Sequence, residues 1–304
     1  MPRVFDAYMI VDWSASAKPV TGANSIWIGL RARDARLKFQ FTSVNPKTRL
    51  EARRLILELA QKLIARGDKV LIGFDFALGY PAGTAAAAGL VKDGDAPWRA
   101  MHQHLSAKVK ERDDNSNARF AIAAGLNYAI SKGPHPFWGV TKKDQASTLA
   151  MKKGDFAAAG SLPEHRKSEA WIRSQFKAVP KSVWQLLGAG AVGSQALLGI
   201  PTAQYIRNEI DGARIWPFET GFKQLTSDAL SETSCVIAEV YPSTVEVTPN
   251  PGEILDQAQV RTLSERLESL DSAGKLASAF GPPDTLSKAE IDEITCEEGW
   301  ILAK

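Results

Sequence analysis

The residues of this chain best placed to do chemistry are carboxylates at the ends of apolar runs. Asp12 stands in IVDWS, Asp75 in IGFDF and Glu239 in IAEVYP. Taken singly, an acid in such a position caps a loop or pairs with a nearby arginine. Three that converge repel one another unless a cation neutralises them. An all-oxygen ligand set favours Mg2+ or Mn2+ over zinc. Two such ions held about 3.5–4 Å apart are a common device for cutting phosphodiesters. On this reading Asp12, Asp75 and Glu239 are both metal ligands and catalytic groups. The chain contains no HExxH, no CxxC and no Ser-His-Asp order, so the usual zinc and nucleophilic sites are absent. His102, His104, His135 and His165 are scattered and are expected at the surface.

The carboxylates meet only if the elements bring them together. Residues 8–13 form a short apolar run that suits a buried strand. SIWIGLR from Ser25 reads as a second strand, and the alternating LKFQFTSV from Leu37 as a half-exposed third. Residues 49–65 place Leu50, Leu55, Ile56, Leu59, Leu63 and Ile64 on one face, which predicts an amphipathic helix ended by Gly67. KVLIGFDF from Lys69 is a fourth strand. Three strands joined by tight turns make an antiparallel meander, and a right-handed crossover through the helix lays the fourth strand beside the first. Neighbouring strands lie about 4.8 Å apart, so Asp12 and Asp75 are expected at one sheet edge. Further on, residues 97–112 and 118–131 read as helices. Residues 192–210 read as a helix bent at Gly199-Ile-Pro201, ARIWPF and CVIAEVYP as strands, and the chain from 251 as helical.

This order of elements, with one aspartate on the first strand and another on the fourth, resembles the ribonuclease H-like fold. The strings VDWSAS, GFDFALGYP, FWG, GIP and EVYPSTVEV resemble the family designated domain of unknown function 429, described as predicted RNase H-like nucleases. The resemblance touches both ends of the chain. It implies a divalent-metal nuclease fold, and such sites take a further acid from a C-terminal helix. Asp271, in ESLDSAG, is the candidate for that ligand, with Asp256, Glu265 and Glu268 competing.

Other signals point toward phosphate. The loop DWSASAK, residues 12–18, has small hydroxyl residues and a lysine near an acid. It resembles the phosphate loop of actin-like ATPases and sugar kinases, and backbone N–H groups there can hold a phosphate. Residues 188–193 match G-x-G-x-x-G after SVWQLL, which can be a strand; a dinucleotide fold places its ribose acid about 20 residues on, so Glu219 serves only if the spacing is stretched, and Gly199 and Pro201 break the helix that should follow. Residues 140–181 carry nine Lys/Arg against four Asp/Glu. Trp138, Trp171, Trp184 and Trp216 lie in or near that stretch, and aromatic faces among basic residues suit single-stranded nucleic acid. Core anchoring is the commoner use of tryptophan. Asp113 or Asp114 is expected to cap the helix that begins near Arg119. Ser14, Lys18, Arg119 and Arg166 are the expected substrate contacts.

Composition sets the outer limits. At 304 residues, with 44% hydrophobic and 23% charged residues, the chain is globular and can bury a core without staples. Its net charge of +3 names no partner class. That small number conceals a basic middle and an acidic tail, the chain from 251 carrying eleven Asp/Glu against five Lys/Arg. Cys235 and Cys296 give no disulfide framework. The first residues do not read as a signal peptide, and no run of about 18 apolar residues exists, so a cytoplasmic location is expected. The sequence thus predicts an α/β chain with a ribonuclease H-like mixed sheet, an antiparallel three-strand meander plus parallel strands. A single domain over residues 1–304 is expected, with a core at about 1–77 and 186–304 and a largely helical insertion at about 78–185. The expected activity is hydrolysis of phosphodiesters with Mg2+ or Mn2+, acting on nucleic acid or a phosphorylated small molecule. A nucleotide- or small-molecule-binding protein without nuclease activity is the alternative, either an actin-like phosphotransferase or a protein of cofactor biosynthesis.

Overall fold

β1 (Ala7–Asp12), β2 (Trp27–Arg33) and β3 (Phe39–Val44) pair antiparallel in sequence order. They belong to a computed structural model that describes residues 3–156 and 162–303. β1 is buried along its length up to Asp12, whereas β3 alternates half-buried and exposed residues because it forms the sheet edge. The helix α1 (Arg49–Ala65) starts at Thr48, whose hydroxyl accepts the Glu51 N–H at 3.2 Å. It buries Ala52, Ile56, Ala60 and Leu63 on one stripe. β4 (Val70–Phe74), buried at every position, then runs parallel to β1 with Val11 opposite Phe74.

Beyond β4 the chain is helical: α2 (Thr84–Ala87), α3 (Pro97–Lys108), α4 (Arg119–Ser131), α5 (Lys167–Gln175) and α6 (Gly193–Glu209). It then returns to the same sheet. β6 (Cys235–Val240) lies parallel to β4, and β5 (Ala213–Ile215) and β7 (Ile301–Leu302) both pair with β6. The order is β3-β2-β1-β4-β6-β5, so the protein is α/β with a sheet of antiparallel and parallel strands. The acidic C-terminal part forms α7 (Leu255–Ser272), α8 (Leu276–Ala279), α9 (Lys288–Glu293) and a π-turn at Ile294–Glu298.

Each sheet face carries its own core. Met9, Val11, Ile72 and Phe74 point to one side, where Ile56 of α1, Leu105 of α3 and Ile200 of α6 cover them. Tyr8, Ile10, Leu71 and Val236 point to the other and meet Val260, Leu263 and Leu267 of α7. This two-residue alternation decides which acids can meet.

Several local expectations change. SVWQLL forms turns and a single bridge to Trp138 instead of a strand. α6 stays helical through Pro201, because Leu197, Leu198, Ile200 and Ala203 are all buried and tertiary packing outweighs the lost N–H. His102 belongs to the core, its Nε2 2.7 Å from the Leu78 carbonyl and its Nδ1 3.2 Å from Gln204 Oε1. Trp184 and Trp216 are fully buried, and Trp171 packs on Phe176 and Trp300, so they form no open stacking platform. Of the basic stretch, residues 157–161 lie outside the described residues. Among the described residues, no helix is long and apolar enough to cross a membrane.

Candidate functional site

Asp12 ends β1, and Asp75 is the residue after β4. Because Val11 stands opposite Phe74 in a parallel pair, the next residues on each strand are the two aspartates. Their carboxyls hydrogen-bond to each other, and Asp75 Oδ1 also accepts the Trp13 N–H at 2.7 Å. Burial, the facing Asp75 and the more distant Asp256 push the Asp12 carboxyl well above the usual carboxylate range. Burial raises Asp75 as well, although the Trp13 N–H and the bond from Asp12 favour its charged form. Two facing acids in this setting disfavour carrying two full charges unless a cation joins them.

Asp12 lines a cleft of about 550 Å3. One wall is the loop after β1, with Ser14 and Ser16. Another is Arg119 at the start of α4, and a third is the start of α6 with Gly188, Ala191, Ser194 and Gln195. Asp256, in the first turn of α7, completes the rim and accepts the Asn24 N–H at 2.6 Å. Four sequence-distant segments thus meet at the end of β1.

The loop is held from beneath by Arg49, whose side chain is fully buried. Its Nη1 donates to the Ser14 and Ser16 carbonyls at 3.3 and 2.6 Å, its Nη2 to the Asn115 carbonyl at 2.7 Å, and its Nε to Glu111 at 2.6 Å. Asn115, with a positive φ of 64°, adds a bond from its side chain to the Lys18 carbonyl at 3.1 Å. The DDNSN turn therefore braces the loop. The expected cap from Asp113 or Asp114 does not form: Asp114 accepts from Ser116, and Asn117 accepts the Arg119 N–H. Nothing in the sequence pattern marked Arg49, which sits at the first position of an ordinary amphipathic helix.

Of the expected substrate contacts, Ser14 and Arg119 line the cleft. Arg119 Nη1 donates to Asn117 at 3.0 Å, while its buried Nε has no hydrogen-bond partner among the described residues. Lys18 is exposed and does not line the cleft; the Ser16 hydroxyl bonds its carbonyl instead. Arg166 is buried elsewhere, in an ion network with Glu169 and Glu239.

Glu239 consequently does not join the aspartate pair. It stands opposite Phe74 in the β4–β6 register, which puts it on the sheet face opposite to that of Asp75. There it takes both Arg166 amino groups at 2.6 and 2.8 Å, together with the Leu78 N–H at 3.3 Å. The flanking carboxylates raise the Arg166 pKa against the effect of burial, and burial raises that of Glu169. Arg166 also donates to the Glu298 carbonyl, so the network ties α5 to the C-terminal π-turn. Asp271 is likewise misplaced as a ligand. It accepts the Val4 and Phe5 N–H groups at 2.9 and 2.8 Å and the Tyr8 hydroxyl at 2.6 Å, at the entry of β1 and not its exit. Asp256, a competing candidate at the opposite end of α7, lines the cleft instead. Among the described residues, no three His, Cys, Asp or Glu side chains form a ready-made metal cage.

The glycine motif has a local explanation. Gly188 and Gly190 have positive φ values of 119° and 71°, and a Cβ on Gly193 would lie 2.4 Å from the Val183 carbonyl oxygen. The loop turns back on itself to start α6. No strand precedes it, and Glu219 is taken by Arg207 at 2.7 Å and by the Ile215 N–H at 2.9 Å. The context for a dinucleotide fold is missing. Compared with known proteins, the chain matches no family model, no curated protein and no solved structure.

Proposed function

We propose that this chain is a divalent-metal-dependent phosphodiester hydrolase of ribonuclease H-like type, with Asp12 and Asp75 as its metal ligands. The observation that carries the reading is the half-buried pair of carboxyls at the exits of two adjacent parallel strands, open to a cleft through Asp12. The meander followed by β1-β4-β6 in parallel agrees with that fold type.

The donor set suits a hard cation. Mg2+ keeps several waters and is commonly held by one or two carboxylates plus substrate phosphate oxygens. A two-aspartate floor with Asp256 on the rim is compatible with that mode, in which a closed cage of protein ligands is not needed. Bound there, the ion supplies Lewis-acid activation of the phosphodiester. The chain's own groups do the rest. Asp12 and Asp75, deprotonated with the proton released to solvent, would hold the ion. Arg119, on the cleft wall, takes phosphate charge. The start of α6, which no side chain caps, brings the positive end of its dipole to the same space. Arg49 keeps the Ser14–Ser16 backbone in position through its carbonyl bonds.

The test is cleavage of single-stranded RNA, single-stranded DNA and a chromogenic phosphodiester in Mn2+ and in chelator. Cleavage that needs Mn2+ and disappears in Asp12→Asn, with the circular dichroism spectrum retained, is the expected result. Chelator-resistant cleavage, or full activity in Asp12→Asn, contradicts it. The second reading, a nucleotide-binding protein without cleavage, draws on Gly188 and Ala191 lining the same cleft. It predicts nucleotide stabilisation with no product.

A further inference from the structure

A second cleft, of about 690 Å3, opens between α1, α3 and α6, further along α6 from the acidic cleft. Gln195 lines the first cleft and Tyr205 the second, roughly 15 Å apart at the rise of an α-helix. Its chemistry is the reverse of the first. Arg53, Arg99, Lys110 and Arg207 line it against a single acid, Glu111. Arg99 and Arg207 share one further carboxylate, Glu219, at 3.7 and 2.7 Å, which leaves an excess of positive charge.

The one acid is already matched: the Glu111 side chain is only 5% exposed and accepts from the Arg49 Nε at 2.6 Å. The walls also carry an exposed aromatic ring, Tyr205, with the Arg53 guanidinium 4.5 Å from its centroid. A ligand that matches this lining needs an anionic end for the cations and a flat ring for Tyr205. The volume lies in the range of ordinary small-molecule sites.

We infer that this cleft binds a nucleoside monophosphate, with phosphate on the Arg53–Arg99–Lys110 side and the base against Tyr205. The site is separate from the aspartate cleft and does not depend on its metal.

The experiment is calorimetric titration of the metal-free protein with each of the four ribonucleoside 5'-monophosphates, with inorganic phosphate and with adenosine. At least one nucleotide is expected to bind more tightly than either fragment. Arg53→Ala and Tyr205→Ala are each expected to weaken it on the order of tenfold, the size of one lost charge-assisted or stacking contact. Tyr205 is exposed and Arg53 half-buried, and unchanged melting temperatures establish that the variants fold. No binding at millimolar nucleotide overturns the inference. Binding as tight for inorganic phosphate overturns the role of the ring, and binding indifferent to both substitutions overturns the location. Nuclease activity enters none of these readouts, so failure here is distinct from failure of the aspartate site.

Discussion

Two kinds of acid cluster coexist in this protein, and they respond differently to substitution. Asp12 and Asp75, half-buried, are crowded against each other with no ion-pair cation among the described residues. Glu239 and Glu169 are crowded around Arg166, which bonds both. Removing Arg166 leaves two carboxylates in the core with no counter-charge. Arg166→Ala is therefore expected to cost about 3–5 kcal/mol in urea melts. Asp12→Asn replaces one of two repelling acids with a neutral donor, so the metal-free variant is expected to melt no earlier than the native protein. A loss on melting from Asp12→Asn as large as that from Arg166→Ala would contradict this division of roles. The same comparison explains how Glu239 reads as a ligand from sequence. Its place at the end of an apolar strand equals that of Asp12 and Asp75, and only the register reveals that it faces the other way.

At the scale of elements, the segment after Asp75 is fixed by the far end of the chain. Glu297 accepts the Gly83 and Ala85 N–H groups at 2.7 and 2.6 Å, and Glu298 accepts those of Ala82 and Lys167 at 3.1 and 2.8 Å. Between them the backbone passes so closely that a Cβ on Gly79 would lie 2.2 Å from the Glu297 carbonyl oxygen and 2.5 Å from that of Glu298. The FALGYP string is thus a docking surface for the π-turn. Gly79→Ala is expected to destabilise the protein by at least about 2 kcal/mol, since backbone on both sides must move. An unchanged urea midpoint would show that this packing does not hold the segment. α7 shows the complementary lesson. Its two ends serve different purposes, Asp256 reaching the cleft and Asp271 clamping the start of β1. They are fifteen residues apart, roughly 22 Å along a helix.

At the scale of the molecule, the parts legible in the sequence are those governed by local pattern. The stripe of α1 and the apolar runs of β1, β4 and β6 appear where periodicity places them. The adjacency of Asp12 and Asp75 follows from the crossover rule. What was not legible depends on partners distant in sequence. Arg49 braces the Ser14–Ser16 loop through Asn115 and Glu111, and Arg166 reaches Glu239 across seventy-three positions. His102 enters the core because the Leu78 carbonyl and Gln204 receive it there. No periodicity announces such contacts. The proposed activity rests on one cation at one pair of carboxyls. Calorimetric titration of the chelator-treated protein with Mn2+ tests that most directly. The prediction is one Mn2+ bound per chain in the native protein and none in Asp12→Asn or Asp75→Asn, with Glu265→Gln, on the exposed side of α7, binding as the native protein does. A native protein that takes up no Mn2+, or aspartate variants that bind it undiminished, would contradict the account.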